Sequence, residues 1–267
     1  MGNISYRPLI EDMTWSYSRV NSFDSCPGAW FLKYIRGQPE EAMFYSSFGK
    51  LVHSIIEQYY RGTIKKEDML MAFLTRFNTE VSGDKPDSKI VDKYIDGVAS
   101  YLESFSPLPY EMVDVEKFVR FRLGDKNFVG IIDFIGNKDG DICIVDNKSG
   151  DIRPRSKRKY PTQKDMELDE KLRQLYLYST AIFNEYGRFP KKLCFNCFRT
   201  GVLVEEPFIE KAYKDTVEWA LEEIKKIESE ELFIADPEYF KCNWLCGFNK
   251  SCEEFAEYLE DRRHGRR

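Results

Sequence analysis

Two aspartates and a lysine, Asp133, Asp146 and Lys148, are the residues whose types and spacing most directly suggest chemistry. Apolar runs at 128–135 and 142–145 flank Asn137-Lys138-Asp139-Gly140-Asp141, and an Asp-Gly pair between such runs is a strong hairpin signal. With Asp139 and Gly140 as the central turn residues, Lys138 faces Asp141, and counting outward sets Asp133 opposite Asp146. Side chains alternate along a strand, so Lys148 shares a face with both aspartates. Opposed positions lie about 4.5–5.5 Å apart at Cβ. Two carboxylates that close repel unless a cation or a shared proton lies between them. The plain alternative is a hairpin whose charges simply face solvent. Ile131, Ile135 and Ile144 fall on the face of the aspartates, and Ile132, Phe134, Cys143 and Val145 on the other. A hairpin apolar on both faces is expected to be covered on both, with its charges sheltered in a cleft.

Other elements must position this hairpin. The alternation of Val113, Val115, Val119, Phe121 and Leu123 with charged residues predicts a strand over 112–123, which makes a three-stranded meander. Before it, Phe48, Leu51, Val52, Ile55, Ile56, Tyr59 and Tyr60 form the apolar stripe of a helix over 46–60. His53 flanks that stripe, with Gly49 a turn before it and Glu57 a turn after; alone it reads as a half-buried helical histidine. Helices are also predicted over 68–77 and 90–105, with a loop at 82–88 between them. Near the start, Ser18 is the expected N-cap of a short helix ending by Pro27, and a buried helical run follows over 28–37. After the hairpin, a helix over 167–185 ending at Gly187 carries Gln174 and Tyr178 four residues apart, so they share a face. Strands at 192–199 and 202–205 and a helix over 209–229 complete the pattern. Cys194 and Cys197, three apart on a strand, point to opposite faces and are not a metal pair.

Two further features carry chemistry. Arg153-Pro-Arg155-Ser-Lys157-Arg158-Lys159 holds five basic residues in seven and reads as a mobile cationic loop able to hold phosphates. Cys242, Cys246 and Cys252 fall within a turn-rich stretch that is hard to explain as core; one distant cysteine would complete a four-thiolate set for zinc or an iron–sulfur cluster.

At 267 residues, 42% hydrophobic and 32% charged, the chain is long enough for a full core. No apolar run approaches the roughly 20 residues that span a bilayer. The opening Met1-Gly-Asn-Ile-Ser-Tyr-Arg lacks a signal-peptide pattern, and Tyr6 argues against myristoylation at Gly2. A cytoplasmic location is expected, where the seven cysteines are thiols or metal ligands rather than disulfides. The net charge of −5 does not by itself suggest a nucleic-acid binder.

Taken together, Ser16-Tyr-Ser with Cys26-Pro27, Gly49-Lys-Leu-Val-His53, Gly130-Ile-Ile-Asp133, Asp146-Asn-Lys148, Gln174 with Tyr178, and the terminal cysteines resemble the RecB-like iron–sulfur branch of the PD-(D/E)XK nucleases. That branch includes CRISPR-associated RecB-like exonucleases and the nuclease domain of AddB. The cysteine spacing departs from the usual one, with three residues rather than two between Cys242 and Cys246. The resemblance covers about residues 16–252, and no helicase motif is present.

It implies an α/β (α+β) fold with a restriction-endonuclease-like core, a mixed central sheet flanked by helices, a helical N-terminal insertion and an Fe–S-stapled C-terminal segment. The whole of 1–267 is then one domain, with 16–110 helical, 111–205 the catalytic sheet, and 206–260 the C-terminal helix and cysteine cluster. It further implies Mg²⁺ or Mn²⁺ on His53, Asp133 and Asp146, with Lys148, Gln174 and Tyr178 completing the catalytic set. A [4Fe–4S] cluster, in preference to zinc, falls on Cys26, Cys242, Cys246 and Cys252. The implied activity is exonucleolytic cleavage of single-stranded DNA or DNA ends, in recombination and repair, CRISPR adaptation or phage DNA processing. Helicase or recombination proteins are the implied partners, and no membrane. The competing expectation is a nuclease-fold subunit that binds DNA or assists assembly without cleaving; the intact acidic pair and Lys148 weigh against it.

Overall fold

The structure, a computed structural model, describes residues 5–264. The Met1-Gly2 opening and the end of the basic tail, 265–267, lie outside the described residues. Helices α1 (Arg7–Ile10), α2 (Tyr17–Ser25), α3 (Pro27–Tyr34), α4 (Phe44–Tyr60), α5 (Met69–Glu80) and α6 (Ser88–Glu103) precede the sheet. Three strands follow, β1 (Glu111–Leu123), β2 (Lys126–Lys138) and β3 (Asp141–Lys148), then α7 (Gln163–Tyr186), β4 (Lys192–Cys197), β5 (Val202–Pro207), α8 (Glu210–Ser229), α9 (Tyr239–Trp244) and α10 (Glu253–Arg263). The helix containing Tyr17 is capped by Ser16, not Ser18, because Ser16 is extended and its Oγ accepts from the Arg19 N–H.

The five strands lie in sequence order. All neighbours are antiparallel except β3 and β4, which run parallel because α7 carries the chain back across the sheet. The sheet is therefore mixed and flanked by helices, an α/β architecture consistent with a restriction-endonuclease-like core. A capping box between Thr162 and Asp165 starts α7, and Gly187, at φ 70°, ends it.

Each face of the sheet has its own apolar layer. Ile135, Ile144, Leu193 and Phe195 pack with Leu168, Leu172 and Leu175 of α7 and Ala220 and Ile224 of α8. Helices α4 to α6 build a second core around Phe48, Phe73, Leu102 and Phe105, which Phe198 joins from the end of β4. Phe134, Cys143, Val145 and Cys194 make a smaller cluster with Tyr110. Cys194 and Cys197 thus belong to opposite layers.

Beyond α8 the chain returns to the N-terminal helices. Phe233, bulky yet at φ 45°, is buried with its ring stacked 5.5 Å from Trp30 and tilted 5.1 Å from Phe31. A left-handed phenylalanine is strained, so this aromatic packing must hold it. Among the described residues no helix is long and apolar enough to cross a membrane.

Candidate active site

The β2–β3 register is the one the turn residues imply: Lys138 pairs Asp141, and the ladder runs to Phe134 with Val145, one step short of Asp133 and Asp146. Beyond that step the side chains separate. Asp133 Oδ2 accepts the Asn147 N–H at 2.7 Å and lies 3.3 Å from His53 Nδ1 of α4. Asp146 Oδ1 instead accepts Gln174 Nε2 of α7 at 2.8 Å. Strict alternation fails here: Ile132 and Ile135 both join the α7 layer, and Ile131, expected in shelter, is 47% exposed. Both aspartates are buried.

Across the sheet from this break lies an acid on β1 that the sequence pattern does not single out. Glu116 sits on β1 between the pairs Val115–Phe134 and Lys117–Ile132, opposite Asp133, at φ 50°. Left-handed backbone is uncommon for glutamate and here re-aims the side chain. Ligand atoms of His53, Glu116 and Asp133 all lie within 4.8 Å of one another. His53 and Glu116 line a hollow of about 420 Å³ together with Gly49, Glu57 and Ser149. Counting across the second two-residue turn, where Leu123 pairs Lys126, would have found Glu116.

Lys148 completes the constellation. Its Nζ lies 2.7 Å from Asp146 Oδ2 and donates to Gln174 Oε1 at 3.0 Å. That contact gives the buried Asp146 Oδ2 its donor, the Lys148 ammonium. Gln174 therefore bridges Lys148 and Asp146 through its two amide atoms. Tyr178, one turn on, packs on Gly130: a Cβ there would come 2.4 Å from the Tyr178 ring. The glycine is required because the ring occupies the space of a side chain.

The charges are mutually tuned. Burial, then Asp146, pushes the Asp133 carboxyl well above the usual carboxylate range. Burial holds the His53 imidazole below its ordinary value, which favours the neutral form that binds metals. Burial also opposes the Lys148 charge, but Asp146 and Asp133 outweigh it and its pKa rises. Burial raises Glu116, and raises Tyr178 to about 12 against a hydrogen bond with Gln174. Crowded carboxylates beside a neutral imidazole fit a divalent cation with oxygen and nitrogen ligands.

The cysteines do not fit the group expected of them. Cys26, Cys242, Cys246 and Cys252 line one cavity, but it measures about 20 Å³. That admits about one water molecule, whereas a [4Fe–4S] cubane brings eight atoms. Nor are the thiols gathered within the 4.8 Å that unites the His53 set, the closeness a tetrahedral zinc needs. Burial raises the Cys242 and Cys246 thiols, and that of Cys252 to about 11. The expectation of an iron–sulfur cluster is thus not supported by this arrangement. What fastens the C-terminal segment here is direct contact: Gln38 Nε2 to Ser251 at 2.6 Å, the Glu41 N–H to Gly247 at 2.9 Å, and Lys241 Nζ to the Ser25 carbonyl at 2.8 Å.

The basic loop is also less free than its composition suggests. Arg155 is held by Asp169 at 2.5 Å and Glu206 at 2.9 Å, and Arg153 lies 3.5 Å from Asp151. Lys157, Arg158 and Lys159 remain for an anionic ligand.

Comparison with known proteins gives a consistent setting. The sequence model of the PD-(D/E)XK nuclease superfamily matches residues 14–253. Among solved structures, one from Eubacterium rectale, carrying a provisional exonuclease name, is similar with a TM-score of 0.49 at 13% identity, over 94% of this chain and 93% of that one. Another, of a protein called SSO0001, has a TM-score of 0.30 at 16% identity, over 89% and 93% of the two chains. No curated protein matches the sequence.

Proposed function

The chain belongs to the PD-(D/E)XK nuclease superfamily, and from that premise we propose that it is a metal-dependent deoxyribonuclease working from DNA ends or on single strands. The observation that carries this reading is the continuous set from His53, Glu116 and Asp133 to Asp146, Gln174 and Lys148, joining a cation-binding corner to a fixed ammonium. Within the family the helical histidine and the Gln174–Tyr178 pair favour the RecB-like branch.

Hydrolysis adds a water oxygen to phosphorus, breaks one P–O ester bond, and returns a proton to the leaving oxygen. His53, Glu116, Asp133 and Asp146 would hold Mg²⁺ or Mn²⁺, which supplies an acidic bound water and polarises the phosphate. Lys148 faces the same space, and its raised pKa keeps it charged against the negative charge that builds on the phosphoryl oxygens. Gln174 restrains Lys148 and Asp146 together, so the ammonium keeps its direction when substrate enters. Tyr178 fixes the helix against β2 through Gly130.

The test is cleavage of labelled DNA with Mn²⁺ by the wild-type chain and Asp146→Ala. Loss of linear but not covalently closed circular DNA, and no loss with the variant, is expected. Intact DNA with the folded wild-type chain and either metal would overturn the reading.

A further inference from the structure

One face of the β1–β2 hairpin is apolar, basic and uncovered. Val119, Phe121 and Leu123 of β1 point into the core, which leaves Phe118, Arg120 and Arg122 on the opposite face, the side toward which Glu116 turns. Phe118 is 55% exposed and pairs directly across the strands with exposed Ile131. The Arg120 guanidinium lies 5.4 Å from the Phe118 ring centroid. Arg120 and Arg122 then border a hollow of about 630 Å³, which Thr14 closes from the strand-like segment beside β2. Among the described residues no ion pair engages either arginine. Arg122 donates to the Asp125 carbonyl, a neutral acceptor. In a chain of net charge −5, two unpaired guanidinium groups beside an exposed ring are a local exception.

We propose that this face is a stacking track for single-stranded nucleic acid leading out of the metal site, with a nucleobase on Phe118 and Ile131 and phosphates on Arg120 and Arg122. The inference rests on the nuclease reading and adds where the rest of the strand lies. Alternate residues of a strand lie about 7 Å apart, so Phe118, Arg120 and Arg122 follow Glu116 along one face of β1. Stacking on an aromatic ring accepts every base, and the guanidinium reinforces it. Paired bases have no free face to offer, so the track selects unpaired strands. Its charge complements the phosphates.

The test measures anisotropy of a short fluorescein-labelled oligothymidylate in EDTA, where nothing is cleaved. Phe118→Ala is expected to weaken binding about tenfold or more. Arg120→Ala and Arg122→Ala are each expected to lower the slope of log K against log salt by about 0.7. Met71→Ala, an exposed apolar residue on α5, serves as the unchanged control. Hydrolysis of bis(p-nitrophenyl) phosphate with Mn²⁺, a diester too short for the track, should be equal in wild type and Phe118→Ala. If Phe118→Ala binds the oligonucleotide like wild type, or loses the small diester as well, the track is wrong. If wild type binds DNA through these residues yet cleaves neither substrate, the nuclease reading falls and the track stands.

Discussion

Replacing Asp133 with asparagine is expected to stabilise the metal-free protein and abolish its response to metal. Asp133 and Glu116 offer oxygens within 4.8 Å of each other. At an effective dielectric constant of about 20, two full charges at that distance repel by about 3 kcal/mol. Partial exposure of Glu116 and proton uptake by Asp133 relieve some of this, leaving about 1–2 kcal/mol for the substitution to recover. Asparagine can still accept the Asn147 N–H through its amide oxygen. In EDTA the variant should therefore melt about 4 °C above wild type. The sign of the pH dependence follows from the raised Asp133 pKa. Its contribution to stability is full below the unfolded carboxylate value and is lost as pH rises through the folded one, so the gap between variant and wild type widens from acid toward neutral pH. With Mn²⁺ at 100 times its dissociation constant the wild type gains about 2.7 kcal/mol, and the order of melting reverses. Thermal melts by circular dichroism with EDTA and with MnCl₂ read all of this. A variant that melts below wild type in EDTA, or gains equally from Mn²⁺, refutes the assignment of Asp133 as a ligand held against repulsion.

Lys148→Ala should lower the cleavage rate about 10²–10⁴-fold while Mn²⁺ still raises the melting temperature, since the ammonium acts on the phosphate and not on the ion; calorimetric titration beside a rate assay checks both halves. Gly130→Ala puts a methyl group into the Tyr178 ring and should cost about 1–3 kcal/mol in urea unfolding. Adding Tyr178→Ala removes the clash, so the double variant should lose less than the sum of the two. Thr162→Ala breaks the capping box of α7 and should cost about 1 kcal/mol with the cleavage rate unchanged, which stability and rate measurements on one preparation decide.

The helices and the hairpin were legible because their signals are local. The stripe of α4, the Asp139-Gly140 turn and the Gly187 stop each lie within a few residues of what they determine. The apolar period predicts an α7 start at 167, while the Thr162–Asp165 box opens the helix at Gln163. The strand–helix–strand order from β3 through α7 to β4 is the mark of a crossover, and it accounts for their parallel pairing. In the site, alternation predicted one face for both aspartates and failed where Glu116 turns left-handed, which a period of two cannot anticipate. The basic run looked unpaired in sequence because Asp169 and Glu206 reach Arg155 from distant elements. Cysteine spacing marked Cys242, Cys246 and Cys252, and the resemblance added Cys26; the four line one cavity too small for the expected cluster, and spacing says nothing about size.

The return of the chain from α8 to the N-terminal helices sets an order of events during synthesis. The sheet is complete once Pro207 has left the ribosome, yet Trp30 and Phe31 must wait for Phe233 to cover them. Contacts spanning some 200 residues form late, after the loop between them has lost its freedom. Until then an aromatic nest on α3 stays open to chaperones and proteases. A nascent chain of this design therefore carries the carboxylates of the proposed site before it carries its final seal, and premature termination after α8 is expected to leave that nest exposed.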